Sequence, residues 1–389
     1  MTDCQNKLQI LLDVGEYYGK TYNVTYGAAK SKVTVVGAAV DRKYYAELAP
    51  WHLNGQPVNV TEDNEHLGQV VSGVDQEMKN VDLRIKKGRN SLFALLGPAF
   101  QNKCHLSPLL KHHLVKTYIS PVIRSGLSSF SLRTNHLQPL TIFHRKILRG
   151  ILNLSKSSNI PALYFLLGEI PIEGQIHKDV FSLFYNVWSN PGSKIYSIVK
   201  YLIENSPANS RTWSNHLKIL SRRYQLEDPL QYLKRDPPKK AEFKELILTK
   251  ICSFYEHELR EQAKSNSRMN FLNVSVLGLR GRPHPAIQNI KTTHDVTKSR
   301  PHIKMLAGDY LTYQVRAKQS GGSPHCRCCS DPLKPDEDIP HILLHCSAYK
   351  EIRERLLNEI RCLSAQTKHK LLFDNLDNTS LSQFILDPF

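Results

Sequence analysis

The residues best suited to chemistry sit in one short stretch: Cys326-x2-Cys329, then eleven residues, then His341-x4-Cys346. Thiolates and an imidazole at tight pair spacing suit a tetrahedral Zn²⁺. Half of the chain's eight cysteines (Cys326, Cys328, Cys329 and Cys346) fall here, which core packing of small apolar side chains hardly explains. The first pair is read as gripping the ion from a turn. His341 and Cys346 are five apart, slightly more than one helical turn, so both can face one point. On spacing alone Cys328 can replace Cys329, and His325 or His345 can compete. The set chosen is Cys326, Cys329, His341 and Cys346. Four protein ligands leave no open position for water, so the expected role is structural, not hydrolytic.

Charge is the second signal. The formal net charge is +17, and it is unevenly placed. Between Gln76 and Lys156, fourteen Lys and Arg face two acids, Glu77 and Asp82, a surplus of +12. A field so one-signed favours a polyanion, so RNA, DNA or an RNA–DNA hybrid is the expected partner. Lys86, Lys87 and Arg89 form one cluster; Arg145, Lys146 and Arg149 form another, with 145 and 149 on one helical face. Phe143, Ile147, Leu148 and Ile151 read as the core side of that second helix. No apolar run approaches a membrane span, and Met1 to Lys7 opens no signal peptide. Cys4, Cys104, Cys252 and Cys362 are scattered, as in a reduced protein. The expected location is intracellular, with nucleus and cytoplasm both open.

The elements that position these residues follow from periodicity. Leu8, Leu11, Leu12, Gly15 and Tyr18 trace a helix that Gly19-Lys20 is expected to end. Residues 22–26 and 32–36 read as short strands. Asn54-Gly55 predicts a hairpin turn between Trp51–Leu53 and Pro57–Val60, and 66–71 reads as a further strand. From Asp75 the pattern turns helical, with amphipathic segments near 75–102, 107–119, 134–152, 174–189, 193–205, 240–264, 298–318 and 347–363. Pro108, Pro121, Pro139, Pro161 and Pro171 fall mostly at helix starts or turns. Residues 236–240 and 319–324 read as linkers.

In this order the segments resemble the C-terminal part of reverse transcriptases of non-LTR (LINE-type) retrotransposons. Leu8 to Glu16 leading into Tyr22 to Lys32 is similar to the end of the family's palm. His66-Leu67-Gly68 resembles the short strand near the primer-holding region. His144 to Leu154 is similar to the basic thumb helix, and Ile160 to Ile172 to the Leu-Gly segment behind it. Glu337 to Cys346 resembles the family's zinc-knuckle tail. Gly27-Ala28 depart from the Asn-Pro of the family's fourth palm block. The family's two carboxylate blocks, which hold two Mg²⁺ at the primer end, have no counterpart here, and the chain contains no Asp-Asp pair.

The resemblance implies an α+β protein. A small antiparallel palm-remnant sheet is expected over 1–74 and a basic thumb-like helical region over 75–172. A helical linker region follows over 173–320, then a Cys-Cys-His-Cys zinc-knuckle tail over 321–389. It implies a fragment that binds nucleic acid but has no catalytic residues of its own, with structural Zn²⁺, and Mg²⁺ only if the missing palm is supplied. The N-terminal strands would present a sheet edge open to self-association. The alternative is a zinc-stapled helical protein-interaction module captured by a host.

Overall fold

The computed structural model describes residues 5–36, 50–100, 106–207, 209–329, 335–365 and 376–388. Cys4 and Cys104 lie outside them, while Cys252 is buried, Cys362 exposed, and both are free thiols. The first helix, α1 (Gln5–Tyr22), runs through Gly19 instead of ending there. Its stop is Asn23, whose left-handed φ of 55° lets the Val24 N–H donate to the Gly19 carbonyl at 2.8 Å. Gly19 matters for a different reason. A Cβ there would stand 2.5 Å from the Val24 oxygen, so glycine alone permits this fold-back. The strand expected at 22–26 is coil after Asn23, and a 3-10 turn follows at Ala28–Lys30.

Strands β1 (Lys32–Val33), β2 (Trp51–Leu53) and β3 (Gln56–Val60) form a sheet in the order β1-β3-β2. The β2–β3 hairpin turns at Asn54-Gly55 as expected, both residues at positive φ. β1, however, lies parallel to β3, with Lys32 opposite Asn59, so the sheet is mixed and not antiparallel throughout. Ala28, Leu53 and Val58 are buried beneath it, with Leu12 and Val33 packed against them. A second hairpin joins β4 (Asp63–His66) to β5 (Gln69–Ser72). Its turn is Leu67-Gly68, at φ 49° and 77°, so the stretch expected as one strand is the tip and second arm of a hairpin.

That hairpin docks on α2 (Gln76–Phe100). The buried Asn80 amide donates to the Val70 carbonyl at 2.7 Å and accepts from the Val70 N–H at 2.9 Å, as a third strand would. Arg84 donates to the Gly68 carbonyl at 2.6 Å. From here the protein is mainly helical. Ser107 caps α3 (Pro108–Leu114), accepting from the Leu110 N–H, with Pro108 at the first helical position. A wide turn with i→i+5 bonds, Val115–Ile119, then leads into α4 (Ser120–Arg124). Pro121 has no N–H for an i→i−4 ladder, and the wider turn absorbs that loss. Helix α5 (Thr134–Leu152) carries Pro139 inside it, not at its start, and buries Phe143, Ile147, Leu148 and Ile151 as expected.

Helix α6 (Ile160–Leu167) is apolar on every side because it is buried on every side; Leu163 through Leu167 have no exposure. Each such side chain contributes about 1.5–3 kcal/mol of burial. The helix ends at Gly168, φ 60°, where a Cβ would meet the Arg282 carbonyl oxygen at 2.3 Å. The crossing segment is stitched there: the Gly281 N–H donates to Gly168 at 2.7 Å and the His284 N–H to Leu166 at 2.8 Å.

Helices α7 (Ile172–Trp188), α8 (Lys194–Asn205), α9 (Trp213–Arg223), α10 (Pro229–Leu233) and α11 (Lys240–Lys264) complete the middle of the chain. The 236–240 stretch is coil up to the start of α11, but it is tied down. Trp188 Nε1 donates to the Arg235 carbonyl at 2.9 Å, and the Tyr185 hydroxyl to Pro238 at 2.6 Å. Then come α12 (Pro285–Gln288), α13 (Thr293–Leu306) and α14 (Tyr313–Ser320). The helix expected over 298–318 is thus two, parted at Gly308 with its φ of 61°. The last helices are α15 (Lys350–Ala365) and α16 (Asn378–Leu386).

One apolar cluster runs from Val81 on α2 to Leu386 on α16, so α2 to α13 and α16 share a continuous core. The chain after α16 is fastened into it. Buried Asp387 pairs with His284 Nε2 at 3.0 Å and accepts from the Asn273 N–H at 2.7 Å, while His302 donates to the Leu386 carbonyl at 2.6 Å. Among the described residues no helix is long and apolar enough to cross a membrane.

Candidate metal centre and basic helix faces

The tail brings the four chosen ligands together. One ligand atom each of Cys326, Cys329, His341 and Cys346 lies within 4.8 Å of the others. Two local devices do this. The segment after Pro324 pairs back on itself, Cys326 N–H to the Pro335 carbonyl and Glu337 N–H to the Pro324 carbonyl, both at 2.9 Å. That bridge closes the loop holding Cys326 and Cys329. On the other side, residues His341–His345 form a wide turn closed by the Cys346 N–H donating to the His341 carbonyl at 2.7 Å. Such an i→i+5 turn suits ligands five residues apart better than an α-helix does. Asp338 anchors the turn by accepting from the His341 N–H at 2.7 Å.

The module is seated on the helical body. Glu337 accepts from the Tyr313 N–H at the start of α14 at 3.0 Å, and Ile339 joins the main core. Arg353 on α15 donates to the Cys346 carbonyl at 2.9 Å.

The chemistry of this set fits a soft divalent ion. Cys326 Sγ and Cys346 Sγ are 3.8 Å apart. Two thiolates bound at ~2.3 Å in a tetrahedron stand about 3.8 Å apart. Among the described residues His341 Nε2 is buried without a hydrogen-bond partner, a cost that a metal ion in the centre would remove. Burial, and then the neighbouring thiols Cys326 and Cys329, hold the Cys346 thiol above its ordinary pKa despite a backbone hydrogen bond. A cation there would reverse this. The competitors fare worse. Cys328 and His345 are exposed, and exposed His325 is paired with Asp336 at 3.2 Å. A second grouping of Cys326, Cys328 and Glu337 exists, but Glu337 already accepts from Tyr313.

The six basic residues divide into two kinds. Lys86, Arg89 and Lys146 are exposed. Lys87 is half-buried and paired with Glu65 of β4 at 2.5 Å. Arg149 donates from Nε to the Ser158 hydroxyl at 3.1 Å and from Nη2 to the Ser158 carbonyl at 3.4 Å, so it fastens the loop before α6. Arg145 is half-buried beside the Tyr164 hydroxyl, its Nε turned inward without a hydrogen bond. The shared face of 145 and 149 is therefore turned toward protein. Gly88, between the two halves of the first cluster, meets Ile123 and Phe143, which fixes α2 against α4 and α5.

Spacing does not reveal a further group. His112 and Glu169 lie 2.8 Å apart inside the bundle, with Gln175 donating to Glu169 at 2.7 Å. Burial would raise the Glu169 carboxyl, but the His112 hydrogen bond and nearby positive charge hold it below the ordinary carboxylate range. Around it Lys116, Arg124, Lys178 and Arg280 converge from four elements. Compared with protein-family models, with curated proteins and with solved structures, the chain matches none.

Proposed function

We propose that the chain is a zinc-stapled nucleic-acid-binding protein related to the C-terminal part of a LINE-type reverse transcriptase, without polymerase activity of its own. Zn²⁺ would be held by Cys326, Cys329, His341 and Cys346 and would supply rigidity, joining the segment before α15 to the body through Glu337 and Ile339. Nucleic acid would be held through its phosphates. What carries this part is the surplus of +12 over 76–156, together with the exposure of Lys86, Arg89 and Lys146 on α2 and α5. Contacts of this type give affinity with little sequence information.

The test is binding of a fluorescent RNA hairpin and an RNA–DNA hybrid at 50 and 200 mM salt. Affinity is expected to fall at least tenfold over that range, and the Lys86→Ala/Arg89→Ala/Lys146→Ala variant to bind weakly with a shallower salt slope. Unchanged binding in that variant would refute the assignment of these faces. DNA synthesis by the chain alone in a primer-extension assay would refute the claim of inactivity.

A second reading, a zinc-stapled protein-interaction module, is favoured by exposed apolar side chains on α1 (Ile10, Leu11, Val14, Tyr17) and α8 (Ile195, Ile198, Tyr201). Salt-insensitive capture of RNA, or none, together with saturable protein binding at α1 or α8, would select it.

A further inference from the structure

A cavity of about 170 Å³ opens where the wide turn 115–119, α4, α7 and the segment 279–281 meet. Lys116, Arg124, Lys178 and Arg280 line it, with Glu169 and Gln175 beside them. Lys116 and Arg280 reach water while Arg124 and Lys178 are half-buried, and like charges gathered this closely repel one another, which favours an anion between them. The carboxylates nearby are already occupied. Asp179 accepts from Arg124. Glu245 accepts from Arg280 at 2.9 Å. Glu169 is satisfied by His112 and Gln175.

That leaves Lys116 and Lys178. Neither ammonium has a hydrogen bond or an ion pair to any described residue; Glu169 acts on both, and Asp179 on Lys178, only at longer range. Burial, and then the neighbouring Arg124, hold Lys178 below its ordinary pKa. Arg124 Nε is itself buried without a partner among the described residues. The arrangement is two ammonium groups without a direct partner beside two carboxylate-paired guanidinium groups, around a space large enough for a tetrahedral oxyanion. Lysine ammonium groups attract a phosphate as point charges, and a free guanidinium N–H adds a directed donor.

We infer that this cavity is a phosphate-binding site, with Lys116 and Lys178 as the contacting groups and the unpartnered Nε of Arg124 beside them. The site is separate from the exposed faces of α2 and α5 and does not depend on the nucleic-acid reading. Lys178 and Leu248 also line a larger cleft of about 500 Å³, which gives the substituent of a phosphate ester a place to lie.

The test uses the full zinc-loaded chain and three probes: inorganic phosphate, adenosine monophosphate, and a short RNA with either a 5′-phosphate or a 5′-hydroxyl. Inorganic phosphate is expected to raise the melting temperature saturably, above sodium chloride of equal ionic strength. Lys178→Gln and Lys116→Gln should each weaken that response at least tenfold, while Lys291→Gln, at an exposed lysine outside the cavity, leaves it unchanged. Without phosphate, Lys178→Gln should melt no lower than the parent chain, because it removes a desolvated charge; that control separates lost binding from lost folding. If the 5′-phosphate RNA binds more tightly than the 5′-hydroxyl RNA and Lys178→Gln abolishes the difference, the phosphate is that of a nucleic-acid end. If the two RNAs bind equally while inorganic phosphate or adenosine monophosphate still saturates, the site takes a free phosphorylated molecule. A phosphate response no larger than that to chloride, or one that both lysine variants leave intact, overturns the proposal.

Discussion

Replacing Cys346 by serine is the sharpest probe of the tail. The sulfur is buried, 3.8 Å from Cys326 Sγ, and it follows the turn that presents His341. A structural Zn²⁺ in a small module is worth about 10–16 kcal/mol near neutral pH, so one of four ligands accounts for about 2.5–4 kcal/mol. Zn²⁺ affinity should therefore fall roughly 10²–10³-fold in Cys346→Ser. Cys328→Ser, at an exposed thiol outside the quartet, should keep the affinity of the parent chain within about threefold. Competition against a chromophoric chelator gives the constants. Replacement by Co²⁺ gives an independent thiolate-to-metal absorption, which should weaken in Cys346→Ser and Cys329→Ser but not in Cys328→Ser. Fewer than one Zn²⁺ per chain, or equal losses in Cys328→Ser and Cys346→Ser, would refute the ligand assignment.

Acid should unfold the helical body early. Burial lowers His144 and His216 to about 4, so both are neutral when folded, whereas unfolded histidine titrates near 6.5. The unfolded chain then takes up more protons between pH 6.5 and 4, and stability falls across that window by about 1.4 kcal/mol per histidine per pH unit. Urea titrations from pH 7.5 to 4.5 should show the slope, and His144→Gln should remove one proton's share of it. Gly168→Ala should cost about 2–4 kcal/mol, since it adds positive-φ strain and a Cβ against the Arg282 carbonyl; a loss under 1 kcal/mol by urea unfolding would contradict that packing. Asp387→Ala removes the acceptor for His284 and the Asn273 N–H in a dry site, with an expected loss of about 3 kcal/mol and faster hydrogen exchange around residues 273 and 284.

What could be read from the sequence was local chemistry. The Cys-Cys-His-Cys set is legible because few other side chains bind a soft ion and the pair spacings are short. The Asn54-Gly55 turn is legible because positive φ at both positions restricts the residue types. The second turn hid itself: Leu67 sits at a positive φ that a leucine rarely takes, so its apolar neighbours read as one strand. Gly19 misleads for a tertiary reason, the approach of Val24, while the true helix stop was the less obvious Asn23. Helix α6 shows no amphipathic period because no side of it meets water. The run of basic residues marks the cationic region, yet Lys146, which is exposed, and Arg149, which a loop serine holds, look alike in sequence. Lys116, Lys178 and Arg280 are far apart in sequence, so only the packed bundle brings them to one cavity.

The Asp387–His284 pair spans 103 residues, which bears on how the protein is made. At about 5–20 residues per second, the ribosome delivers Asp387 roughly 5–20 seconds after His284. Throughout that interval the segment from Asn273 to His302 has no carboxylate to close on, and Leu386 has not yet filled its place in the core. The nascent bundle must therefore wait, partly open, for one late residue. Chaperone occupancy and protease sensitivity during synthesis should be greatest in that window and should fall once Asp387 has cleared the exit tunnel.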